Sequence, residues 1–244
     1  MNWLWDQEAP FIKVFRGHHF LYIAGMLVIF LLMVQNRRKI RENREKIRYW
    51  LLGTAVFQQI LLYAWYAFET GFNISESLPL HISRISSILG IVYLITKKAK
   101  TMDVLFYFGL FAYGSFLYPQ RVYTFYHVIG VSYFINHALT ILLPFFSAIA
   151  YNWRPTLPAL FKAYGWFLIY FFFVYFLNPL IDGNYFYLKY RPLFGQWPDY
   201  LYVPAVLIFT FLLFCIGFSV AGKLEQSEMS MEKNIKEKKL TESN

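Results

Sequence analysis

The sequence predicts an all-α, polytopic membrane helix bundle, and three observations predict it. Hydrophobic residues fill 58% of the 244 positions and charged residues only 15%, a balance too apolar for a soluble domain to hide. The apolar residues gather in seven stretches near the length that crosses a hydrocarbon core, about 20 helical residues for about 30 Å. The Lys and Arg residues gather in alternate connectors. Helices and short connectors use up the length, so any chemistry lies among the helices or in their loops.

The elements follow in chain order. The segment "MNWLWDQEAPFIKVFRGHHF" carries acidic residues and Trp where a secretory signal has a basic region and an uninterrupted apolar core. It is expected to be retained, with its tryptophans at the membrane interface. Spans are expected over residues 18–35, 50–68, 79–96, 102–118, 128–150, 160–178 and 200–221. They form a single seven-helix membrane domain, 1–221. Residues 222–244 mix Glu and Lys and are expected to be a mobile, charged cytoplasmic tail. No fixed-period repeat is present.

Lys and Arg accumulate on the cytoplasmic side of membrane proteins. Of the 23 basic residues, seventeen fall in one alternating set of connectors, including "NRRKIRENREKIR", "KKAK" and the tail, and five in the opposite set. The remaining one, Arg84, lies inside the third span. This split places the N-terminus outside and the C-terminus inside, as expected of a multi-pass protein of the cell membrane. The net charge of +9 then records orientation and contact with anionic headgroups, not nucleic acid, for which no basic-aromatic motif is present. Cys215, the single cysteine, cannot form an intrachain disulfide.

A His or Arg inside a span is costly unless it faces other helices, water or a ligand, so each is a functional candidate. In "LPLHISRISSILG", His81 and Arg84 are three residues apart, a spacing that puts both on one helical face. Asn136 and His137 lie deep in the fifth span. The long outer connector "LNPLIDGNYFYLKYRPLFGQWPD" is too aromatic to be a merely solvated loop and is expected to fold back over the bundle. Together with Gln58, Gln59, Glu69 and Ser83 these residues could line one polar pocket. The alternative is a set of interhelical hydrogen bonds, with Ser83/Ser87 and Ser86/Gly90 serving close packing. No metal site is expected, because His18 and His19 are adjacent and no H-E-x-x-H or clustered carboxylate accompanies the deep histidines. No phosphate loop or nucleophile elbow is present and no cofactor is implied.

"LPLHISRISSILGIVYLI", "YFINHALTILLPFF" and "NPLIDGNYFYLKYRP", in this order, resemble the marker segments of YwaF-type integral membrane proteins of bacteria. That family resembles the eukaryotic transmembrane protein 164, an acyltransferase that moves fatty acyl chains onto lyso forms of ether phospholipids. The resemblance marks Pro79, His81, His137, Asn184, Tyr185, Leu188 and Pro192. In the eukaryotic relative a cysteine beside the third-span histidine takes the acyl group; that place is Leu80 here. Many bacterial forms carry Cys where this chain has Ser83. The resemblance therefore implies acyl transfer on (lyso)phospholipids of the membrane. It implies Ser83, His81 and His137 as the catalytic group and Asn184 and Tyr185 as substrate-binding residues; the polar span residues Arg84, gripping the phosphate, and Asn136 join them as substrate-binding candidates. Two alternatives stand beside it: a non-enzymatic protein that binds or carries a lipid or small solute, and a structural protein whose polar residues only fix packing.

Overall fold

The computed structural model describes residues 3–192 and 194–242, with side chains described as far as Leu224. The helices in chain order are α1 Gly17–Gln35, α2 Arg37–Glu42, α3 Arg44–Phe68, α4 Ile74–Ser77, α5 Ile82–Thr96, α6 Ala99–Leu117, α7 Val128–Tyr151, α8 Leu157–Ile181 and α9 Asp199–Glu242. Each of the seven predicted stretches contains a helix, the third only from Ile82. Five helices are long and apolar enough to cross a membrane: α1, α3, α7, α8 and the Asp199–Leu224 part of α9. α5 is a shorter apolar helix. The protein is an all-α, multi-pass membrane protein. The predicted tail, 222–244, falls largely beyond the described side chains.

α7 is the axis of the bundle. Of its spanning window 56% is buried, against 11% for α1 and 17% for α9, and it packs against α1, α2, α3, α5 and α6. Small residues let its neighbours approach. A Cβ added to Gly109 of α6 would lie 3.1 Å from Thr140 Cγ2 and 3.4 Å from the Thr140 carbonyl oxygen. Pro144 lacks the N–H that would bond that same carbonyl, so the one backbone group α7 leaves open faces a neighbouring helix and not lipid. On the other side of α6, α8 and α9 enclose an aromatic core built on Phe167, Phe171, Phe214 and Tyr107.

The two ends of the bundle are tied by different chemistry. At the end where α7 begins, the N-terminal segment lies across the α6–α7 connection and offers it backbone carbonyls. Leu4 accepts from the Val128 N–H (2.8 Å), Trp5 from Trp65 Nε1 (2.8 Å) and Gln7 from the Tyr123 hydroxyl (2.9 Å). His127 caps α7: its Nδ1 accepts from the Ile129 N–H (3.1 Å) and its Nε2–H therefore donates to Asp6 O (3.1 Å). The predicted interfacial segment is thus a packed cover. At the opposite end Glu45 is the hub. It binds Arg48 (2.9 Å), Lys97 (3.4 Å) and the Tyr151 hydroxyl (3.0 Å), which joins α3 to the ends of α5 and α7. Buried Arg48 also donates to the Leu94 carbonyl.

Two outcomes are expected. A Cβ at Gly130 would meet the Thr124 carbonyl oxygen at 1.9 Å and the Tyr22 hydroxyl at 2.7 Å. Gly130→Ala should therefore cost about 3 kcal/mol, the scale of overpacking a tight core, seen as a lower Tm in detergent. Burial holds the His127 imidazole below its ordinary value of 6.5, so the folded state binds fewer protons than the unfolded chain. The stability it contributes is present above about 6.5 and is lost as pH falls. Protection factors of the amides in residues 4–12, each taken against the intrinsic exchange rate at the same pH, should fall on acidification from pH 7 to pH 5. They should stay flat in His127→Asn, which can still cap but does not titrate.

Candidate functional site

α5 starts later than its hydropathy suggests, and this decides where its polar residues point. Residues 78–81 are not helical, and His81 is the N-cap of α5, with extended backbone (φ −69°, ψ 137°) and no capping bond from its side chain. The helical spacing expected to align His81 with Arg84 therefore does not apply. The His81 ring turns onto two tyrosines of the connector after α8, edge-on to Tyr185 (centroids 5.0 Å) and tilted against Tyr187 (5.9 Å). Arg84 turns to α3 and α4. Its Nη1 donates to the carbonyls of Glu76 (2.5 Å) and Leu78 (2.9 Å), its Nη2 to the Tyr66 hydroxyl, and its guanidinium lies 4.7 Å from the Tyr66 ring centroid. Arg84 is buried, and its contacts are those of an internal clamp rather than of a cation held out to phosphate.

The connector is held over this end of the bundle by side chains that imitate backbone pairing. Asn178, in the last turn of α8, accepts from the Tyr185 N–H and donates to the Tyr185 carbonyl, both at 2.9 Å. A Cβ on Gly183 would press to 2.9 Å from Asn178 Oδ1, so the turn needs glycine. Asn184 Oδ1 accepts from the N–H groups of Lys189 (3.0 Å) and Tyr190 (2.9 Å), which rounds the following turn. Tyr185 is fully buried. Its hydroxyl donates to Ile74 O (2.7 Å) and accepts from the Leu78 N–H (3.0 Å), and burial pushes its phenol up, which keeps the donor protonated. Asn184 and Tyr185 thus build the wall of the site around His81.

His137 is the second centre. Its Nδ1 lies 2.9 Å from the Tyr133 carbonyl, to which only an Nδ1–H can donate, so in the neutral ring the lone pair sits on Nε2. Two other buried histidines differ. His127 uses both nitrogens as described, and His19 accepts at Nδ1 from Phe15 N–H (2.9 Å) and donates from Nε2 to Phe116 O (2.6 Å). The His137 ring packs 4.2 Å from the Tyr133 ring and 5.9 Å from Phe116. Each of the two site histidines thus has a tyrosine ring against it, Tyr187 at His81 and Tyr133 at His137.

The remaining candidates divide. Asn136 is buried with Oδ1 unpartnered among the described residues. Gln58 donates to Ser132 (2.8 Å), Gln59 to Ser87 (2.8 Å), and Ser87 to Gln58 (3.1 Å); this interhelical layer belongs to packing. Ser83 is half-buried, and among the described residues no hydrogen bond joins it to His81 or His137. Leu80 packs into the aromatic core, and its carbonyl accepts from the Tyr170 hydroxyl at 2.8 Å. Four tyrosines, Tyr66, Tyr133, Tyr170 and Tyr187, were not among the sequence candidates. Tyr133 precedes His137 by four residues, a spacing that puts both on one face, and this was the available signal.

Tyr185→Phe tests the wall. It leaves the Ile74 carbonyl and the Leu78 N–H without their partner at a buried site, which should cost about 1–3 kcal/mol. The measurement is thermal unfolding, with increased proteolytic nicking in 182–192 as the local sign that the connector has lifted.

No curated protein and no solved structure matches the chain. Residues 14–216 match the TMEM164 family, a stretch that contains His81, Ser83, Arg84, His137, Asn184 and Tyr185. With more than four-fifths of its length covered by that match, the chain belongs to the TMEM164 family.

Proposed function

We propose that this protein is a membrane-embedded, lipid-modifying acyltransferase that uses its two histidines to move an acyl chain between phospholipids. The observation that carries this reading is the setting of His137, a buried imidazole whose Nδ1 is bonded to the Tyr133 carbonyl. With Nδ1–H fixed there, the neutral form of the ring presents an Nε2 lone pair, the form a general base needs. In the scheme, the Ser83 hydroxyl attacks the ester carbonyl of a phospholipid and passes its proton to an imidazole. The lysophospholipid oxygen leaves with that proton. The hydroxyl of an acceptor lysophospholipid then attacks the seryl ester and releases Ser83. Arg84 acts here as the clamp that fixes the start of α5, and Asn184 and Tyr185 act as the wall that seats His81.

The same proposal gives the chain seven spans in the cell membrane, with N-terminus out and C-terminus in. The distribution of basic residues supports the orientation. The 15 residues of α5 rise about 22 Å, and the extended residues ahead of it add the remainder of about 30 Å.

A second reading, a non-enzymatic lipid-binding protein, is favoured by one observation: Ser83 has no bonded histidine among the described residues. One assay separates the two. In proteoliposomes with a labelled phospholipid and a lysophospholipid acceptor, His81→Ala and His137→Ala should each lower transfer by about 10²–10⁴-fold, the worth of a general base, with unchanged Tm. Ser83→Ala should abolish the seryl ester seen by mass spectrometry. Transfer that persists unchanged in both histidine variants removes the enzyme reading, and absence of any transfer by the unaltered protein leaves the binding reading in its place.

A further inference from the structure

On the flank of the bundle, α5, α6 and α8 leave a groove of about 510 Å³. Its walls are Ile85 and Leu89 of α5, Val104 and Phe108 of α6, and Trp166 and Phe173 of α8. Lys100, Val104 and Phe108 follow one another at four-residue spacing, so they form a single stripe about 12 Å long by helical rise. The groove is therefore a slot lined with hydrocarbon and aromatic surface that carries an ammonium group at one end. Its dimensions and lining suit an extended acyl chain, and its charge suits an anion bonded to that chain.

The charge around Lys100 is uncompensated. Lys98 and Lys100 are exposed, and among the described residues no carboxylate lies within ion-pair distance of either. Nearby acids are engaged elsewhere: Glu45 with Arg48, Lys97 and Tyr151, and Asp103 with Trp153 Nε1 at 3.0 Å. The second groove of the bundle, about 380 Å³ between α1, α2, α3 and α7, has Thr54 as its one polar lining residue and no charged one. Apolar shape alone is thus common to both grooves, and only the first combines it with a cation.

We propose that the α5–α6–α8 groove is a binding site for an anionic phospholipid, one acyl chain lying along the slot and the phosphate held by Lys100, with the exposed Lys98 adding to the local positive charge. Basic residues where helices meet the headgroup region recognise anionic lipid in this way. The lipid closes the lateral gap between the α5–α6 hairpin and α8, so it binds as a structural ligand. The cationic end of the groove lies at the start of α6, while its other end reaches Tyr170, which bonds Leu80 O; the proposal does not rest on the acyl-transfer reading.

The test is native mass spectrometry of the purified full chain, offered phosphatidylglycerol and phosphatidylcholine of identical chains in equal amounts. The unaltered protein should retain phosphatidylglycerol about tenfold over phosphatidylcholine, the scale set by one or two lysines beside an anionic headgroup. Combined Lys98→Gln and Lys100→Gln should bring the ratio close to one while leaving total lipid retained. Val104→Trp should lower retention of both lipids, while Leu139→Trp in the uncharged groove keeps the preference. Equal retention by the unaltered protein, or a preference that survives the double lysine substitution, overturns the proposal.

Discussion

A guanidinium inside a membrane bundle must find oxygen atoms, and the way Arg84 finds them organises one whole end of this protein. Its partners are the carbonyls of Glu76 and Leu78 and the Tyr66 hydroxyl. Those carbonyls belong to the short α4 turn and the non-helical link behind it, where no helix ladder accepts them. One side chain thus satisfies a buried charge and two open backbone groups at once. With the link fixed, Tyr185 completes it by bonding Ile74 O and the Leu78 N–H. His81 is then left between a clamp on one side and a tyrosine wall on the other. The cation serves the scaffold, and the two histidines pack against tyrosine rings, His81 on Tyr185 and Tyr187 and His137 on Tyr133.

The opposite end reaches rigidity by another route. There Glu45 draws Arg48, Lys97 and Tyr151 together, and much of that network is solvent-accessible. Exposed pairs of this kind are individually weak and screened by salt, so the network registers the helices more than it stabilises them. The histidine-bearing end relies on one buried cation, Arg84, whose acceptors are backbone carbonyls and a phenol rather than carboxylates. Being buried, those bonds are screened by salt far less than the exposed pairs of the other end.

Much of the bundle was legible in the sequence because the membrane imposes one length and one periodicity on every span. The positions of the helices follow from that rule. The start of α5 does not, because hydropathy treats Pro79, Leu80 and His81 as span residues. Pro79 was the available warning, since the residue before proline is pushed out of helical geometry. That shift of three residues separates His81 from the face of Arg84. The polar residues at 81, 84 and 137 were legible as costly in lipid, but their partners were not. The His81–Tyr185 contact joins residues 104 positions apart, and the Arg84–Tyr66 bond joins two helices whose pairing no local pattern encodes. The protonation of His137 depends on one carbonyl, and hydrogen-bond geometry alone reveals it.

The departure at Leu80 bears on how a histidine site in this bundle is set to work. Leu80 is held by its backbone: its carbonyl accepts from Tyr170 and its side chain packs among aromatic rings. The position therefore keeps a scaffold role that needs no nucleophile. Ser83 stands about one turn along, half-buried and unbonded to either histidine. A neutral imidazole in an apolar setting is a poor proton acceptor until a partner with developing negative charge arrives. In the proposed acyl transfer the ester of a bound lipid supplies that partner. On that reading the lipid itself completes an arrangement in which Ser83 has no bonded histidine among the described residues.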